Sequence, residues 1–218
     1  MIEQFYQLKP EVLALDRKAL DLCREQFAHV EEIRDYNQLK MLRAFTDSGV
    51  EARHFWGSSG YGVWDDSRNK LEEVFARCMG AEAALVRPQF MSGTHTLTVA
   101  LFGLLRTGDT LLAATGRPYD TLEGVIGIGE AGKGCGTLRE YGVQYDECPL
   151  LPDFTPDYDL IAEKARTATV VHIQRSRGYT QRNAFDLETI RKVAETARAA
   201  NPDAVIFVDN CYGEFTQT

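Results

Sequence analysis

The chain has no run of basic residues, no CxxC pair and no low-complexity tract, and no apolar stretch reaches the roughly 20 residues of a membrane span. Lys and Arg total 24 against 32 Asp and Glu, a net charge of -8, which argues against a nucleic-acid surface. Residues Met1 to Pro10 lack the basic start and apolar run of a signal peptide. The five cysteines are scattered and odd in number, so reduced thiols in a cytoplasmic protein are expected, with Cys78 and Cys211 as small apolar residues. Four histidines (His29, His54, His95, His172) lie far apart without metal-ligand spacing, and no metal site is expected.

What is present fits a soluble globular protein. Hydrophobic residues make up 44% and charged residues 26% of 218, enough for one sizeable core with a helical extension. Residues 10–47 read as two amphipathic helices, with Val12, Leu13, Leu15, Leu20 and Leu22 on the first and Leu39, Leu42 and Phe45 on the second. They are expected to pack on a domain or on a partner subunit. A glycine- and aromatic-rich loop follows at 52–64.

From there strands and helices alternate. Helices are expected at about 66–79 (Asp66 as N-cap, Gly80 as stop), from Ser92 to near Gly108, from Tyr119, and at 158–167 and 186–200. Strands are expected at 83–86, 111–114, near 143–145, and at 168–174 and 204–209. This order gives an α/β fold with a mostly parallel sheet covered on both faces. The expected organisation is an N-terminal helical extension over 1–50 and a larger domain over 51–218.

Ligands in such sheets bind outside the C-terminal strand ends. The run Ala204 to Asp209 delivers a carboxylate there. Asp209 is either a solvated strand-end acid or the partner of a cationic ring nitrogen; at ~4 Å and an effective dielectric near 20 the latter gains about 4 kcal/mol before desolvation. Ser92-Gly93-Thr94 opens an apolar helix, so it is either a plain Ser N-cap or a phosphate site built on free amides and the helix dipole. Tyr119 sits past a strand end, where an aromatic can cover a flat ring or simply lie half-buried. Arg175 and Arg177 follow another strand end, where they either bind a carboxylate or phenolic oxygen or form an ordinary charged loop. Gly127 to Gly132 matches G-x-G-x-x-G, but the apolar segment before it is very short and the segment after it holds two more glycines. It reads as a flexible loop.

Four runs, in order, carry a resemblance: Arg87 to His95, Gly116 to Glu123, Gln174 to Tyr179 and Val208 to Phe215. From about residue 10 to the end the chain resembles the methionine gamma-lyase-related family, often labelled aluminium-resistance or cystathionine beta-lyase-like proteins, of the fold-type I pyridoxal-phosphate enzymes. The resemblance implies a pyridoxal 5'-phosphate-dependent carbon–sulfur lyase acting on a sulfur-containing amino acid, with active sites shared in a homodimer or homotetramer. It implies that Ser92, Gly93 and Thr94 hold the phosphate, that Tyr119 stacks on the ring and that Asp209 pairs with its nitrogen. Arg177 would serve the cofactor oxygen or the substrate carboxylate, and Tyr61 the neighbouring subunit's phosphate.

The family's Schiff-base lysine follows the Asp, whereas every lysine here (Lys9, Lys18, Lys40, Lys70, Lys133, Lys164, Lys192) precedes Asp209. The expectation is therefore the N-terminal half of an enzyme, inactive alone, without the rest of the cofactor domain and the small C-terminal domain. The alternatives are a non-catalytic module that binds a phosphate ligand or pairs with a separate chain, and a nucleotide-binding domain built on the Gly127 loop.

Overall fold

The computed structural model describes residues 4–62, 65–130 and 136–218. They divide into two compact units, residues up to Arg87 together with Phe215–Thr218, and Pro88–Glu214.

The first unit is helical: α1 (Pro10–Leu22), α2 (Arg24–Asp47), a 3-10 turn at Ala52–Phe55 and α3 (Asp66–Met79). Its small core joins Ala44 of α2 to Val74 and Cys78 of α3. Buried Asn37 donates to the carbonyls of Ile33, Phe215 and Gln217, which ties the last residues into this unit. The expected stripes of α1 and α2 form, but Leu15, Leu22, Leu39 and Leu42 remain exposed. Gly80 ends α3 in the left-handed conformation as expected, whereas the N-cap is Asp65, which pairs with Arg68 at 3.2 Å. No strand forms at 83–86. The amide of Val86 is taken by the Glu72 carboxylate at 3.0 Å and Leu85 is exposed, so local apolar content there has no ladder to join.

The second unit is an α/β layer structure. It contains α4 (Gly93–Leu104), β1 (Thr110–Ala113), α5 (Asp120–Ile126), β2 (Gln144–Glu147), α6 (Tyr158–Ala165), β3 (Val170–Gln174), α7 (Leu187–Ala200) and β4 (Val205–Asp209). All pairings are parallel, in the order β2-β1-β3-β4. Side chains alternate across a strand, so β3 splits between two cores. Val171 and Ile173 join Ile161 of α6 and Val193 of α7 on one face. Val170 joins Leu101 of α4, Leu111 of β1 and Leu122 of α5 on the other. Full burial of each such side chain contributes about 1.5–3 kcal/mol. His172 is buried beside Phe207, and desolvation pushes its pKa down to about 4, so it stays neutral.

Caps set the helix starts: Asp157 accepts from the Leu160 amide at 3.0 Å and Asp186 from the Thr189 amide at 2.8 Å. Asn201 closes α7 by donating to the carbonyls of Ala165 and Ala168. Helix α4 ends at Leu104, short of Gly108, because Asp109 accepts from the Arg106 amide and turns the chain into β1. Among the described residues no helix is long and apolar enough to cross a membrane.

Candidate functional site

The chain runs from β1 outward to β2, then crosses back to β3 on the other side of β1. That reversal opens a crevice at the C-terminal ends of β1 and β3, where open α/β sheets bind ligands. The loop after β1 carries Tyr119 and the loop after β3 carries Tyr179, and both line one cavity of about 530 Å³. Gly93 and Thr94 of α4, Asp209 and Glu214 line it too.

Helix α4 presents its start to this cavity. Ser92 is not among the cavity's walls; its oxygen caps the helix by accepting from the His95 amide at 3.1 Å. The plain-cap reading of Ser92 therefore holds geometrically, and its own hydroxyl proton remains available. Thr94 Oγ1 meets Thr121 Oγ1 at 2.7 Å, which joins the first turns of α4 and α5. Gly93 is exposed and has open space where a Cβ would stand, so no side chain crowds the helix start there.

Tyr119 is fixed from two sides. Its amide donates to Gln174 Oε1 at 2.7 Å, and its hydroxyl meets that of Tyr179 at 3.3 Å. The two rings lie 5.6 Å apart, tilted by 33°. The hydrogen bond to Tyr179 pushes the Tyr119 phenol up to about 12, so it is neutral at physiological pH. Gln174 was not visible as a site residue in the sequence. It stands opposite Asp209 in the β3–β4 register; its backbone amide donates to Thr115 Oγ1 and its side-chain nitrogen donates to the Ser176 carbonyl. A polar side chain closing a buried strand was the available signal.

Asp209 is 8% exposed. Its carboxylate accepts from the Cys211 amide at 3.1 Å, and no cation pairs with it among the described residues. Burial raises its pKa above the ordinary carboxylate value, and Glu214 adds to the rise. The loop that follows is clamped by buried Arg175, which donates to Asn210 Oδ1 at 2.9 Å and to the Gly213 carbonyl at 2.8 Å. A Cβ at Gly213 would run into the Arg175 and Asn210 side chains, which is why glycine stands there.

The two arginines of the β3 loop thus part ways. Arg175 is an internal brace, and Arg177 is exposed and outside the cavity wall. Arg182, absent from the sequence reading, is the loop's second brace: buried over the Phe185 ring, it donates to the carbonyls of Gln174, Ser176 and Asn183. Tyr61 belongs to the helical unit and is exposed. Among the described residues no lysine lines the cavity; Lys164 pairs with Asp146 and Lys192 lies over the Tyr158 ring. Gly127 ends α5 against Thr137, and the rest of its glycine-rich run, 131–135 with Lys133, lies outside the described residues. Among the described residues no cluster suited to a metal ion is found.

Comparison with known proteins agrees with this architecture. An uncharacterized Bacillus subtilis protein, YnbB, is 42% identical over 86% of this chain and 45% of its own length. The crystal structure of a carbon-sulfur lyase involved in aluminum resistance from Clostridium novyi superposes with a TM-score of 0.90 at 42% identity, over 97% of this chain and 50% of that one. The pyridoxal-5'-phosphate dependent protein YhfS of Escherichia coli, at 21% identity and a TM-score of 0.52 over 80% of this chain and 44% of that one, shares the fold alone. The chain spans about half the length of the relatives it matches. The methionine gamma-lyase family model matches residues 12–218, and with the four sequence runs and the parallel sheet in place, this chain belongs to the methionine gamma-lyase family.

Proposed function

We propose that this chain forms the phosphate- and ring-binding part of a pyridoxal 5'-phosphate-dependent carbon–sulfur lyase acting on a sulfur-containing amino acid. The observation that carries the reading is Asp209. A buried carboxylate with a raised pKa and no cation among the described residues faces the same cavity as a helix start and an aromatic ring. A protonated pyridine nitrogen supplies the missing positive charge, so the donor set fits this cofactor.

When bound, pyridoxal phosphate supplies an electron-withdrawing ring that stabilises negative charge at the substrate's alpha carbon. The chain's own groups do the rest. The first amides of α4 at Gly93 and Thr94, with the Thr94 hydroxyl, would hold the phosphate; the family resemblance adds Ser92, whose oxygen here caps the helix. Tyr119, anchored through Gln174, covers one face of the ring. Asp209 keeps the proton on the ring nitrogen, which maintains its pull on electrons. In the assembled enzyme, a homodimer or homotetramer in this reading, the family resemblance assigns Tyr61 to a neighbour's phosphate and Arg177 to the ring oxygen or the substrate carboxylate. The covalent lysine is assigned to the part of the relatives that this chain does not span.

The test is titration of the purified chain with pyridoxamine 5'-phosphate, which needs no lysine. Binding that Asp209→Ala weakens at least tenfold, with ATP failing to compete, supports the reading. ATP binding that survives Asp209→Ala favours the nucleotide loop instead. Release of a thiol and a keto acid from a sulfur amino acid by the native gene product separates a lyase from a non-catalytic module.

A further inference from the structure

We infer that Glu214 is a second anionic group of the ring site, set beside Asp209 to hold the proton on the ring nitrogen. The inference deepens the cofactor reading above and rests on it.

Among the described residues the charged side chains lining the cavity are Asp209 and Glu214, both acidic. Among the described residues no hydrogen bond or ion pair engages the Glu214 side chain, so none there spends its charge on structure. Its backbone is nonetheless held in place. Glu214 directly follows Gly213, whose carbonyl is bound by Arg175 and whose amide donates to the Asn210 carbonyl at 2.7 Å. The turn between them passes through Tyr212 at a φ of 65°, a left-handed conformation that a tyrosine adopts only when its surroundings impose it. The turn fixes where the Glu214 backbone stands, and its exposed side chain lines the cavity.

Position decides what the Glu214 charge acts on. In a pyridoxal ring the nitrogen and the carbon bearing the reacting group lie at opposite corners. Glu214 lies on the segment that follows β4 and Asp209, and both residues line the same cavity; its charge also raises the Asp209 pKa. On the same segment as Asp209, it would act on the nitrogen end of the ring rather than on the bond that would break. The other polar groups lining the cavity include the phenols of Tyr119, Tyr179 and Tyr212, the hydroxyls of Thr94 and Thr96, and the Cys211 thiol, which burial pushes up. The nearby cation is Arg175, engaged with Asn210 and Gly213 from below, and His172 of β3 is buried and neutral. A cationic ring would offset the burial and the neighbouring Glu214 charge that raise the Asp209 pKa.

The experiment follows the absorbance of pyridoxamine 5'-phosphate bound to the full chain as a function of pH, which reports protonation of the ring nitrogen. Asp209→Asn lowers the protonation midpoint most. Glu214→Gln is expected to lower it by about half to one pH unit, as a partly solvated charge should. The effect of Glu214→Gln should shrink as salt is raised, a response that a purely structural role would not give. An unchanged midpoint in Glu214→Gln, with Asp209→Asn still effective, overturns this inference and leaves the cofactor reading standing. Failure of the unsubstituted chain to bind the probe overturns both.

Discussion

At the scale of single residues, Asp209 trades stability for binding. Its folded-state pKa lies above the ordinary value of 3.8, so the folded chain holds its proton over a pH range where the unfolded chain has released it. The ligand-free protein is therefore most favoured below that window and loses stability as pH rises through it. Asp209→Asn should raise the melting temperature of the ligand-free chain at pH 7 by about 2–4 °C, and much less at pH 4. The same substitution should remove the stabilisation that pyridoxamine 5'-phosphate gives. A variant that melts lower than the parent at pH 7 would show that the carboxylate is compensated in a way this structure does not contain. Asp209 and Tyr119 were readable in the sequence because strand ends are marked by apolar runs. Gln174 and Glu214 were not, because the first acts through its register with Asp209 and the second through a turn that Arg175 shapes. Both depend on partners dozens of residues away.

At the scale of elements, buried strands and capped helices were the most legible features. Val170–Gln174 is buried along its whole length, and Asp157 and Asp186 cap the helices that sequence spacing placed after them. Residues 83–86 misled for the converse reason: four apolar residues state a preference, and a strand also needs a neighbour. Strand β4 lies at the sheet's end in the described chain, with Val205 and Val208 partly exposed. An open apolar edge is a template for further strands. Val205→Lys is expected to reduce concentration-dependent association of this chain in sedimentation velocity while leaving the melting temperature nearly unchanged. Equal association in parent and variant would place the contact elsewhere.

At the scale of the whole molecule, the helical unit keeps its apolar stripes exposed, and such stripes on well-formed helices mark contact surfaces. Replacing Leu39 and Leu42 of α2 with Gln should shift the chain toward monomer in light scattering coupled to size exclusion, without loss of helix signal; an unaltered mass would exclude α2 from the assembly contact. The order of strands in the second unit has a further consequence, for how the chain reaches this structure. Among the described residues the sheet contains no hairpin. Leu111 must find Val170 and Val170 must find Val205, each across a full helical crossover. During synthesis β2 emerges before β3, yet it can only flank β1 from outside, so the inner edge of β1 stays open until residue 174 has left the ribosome. Loop closure over such distances makes folding slow, in the range of milliseconds to seconds or longer. Throughout that interval the crevice that would seat the ring has only one of its two walls.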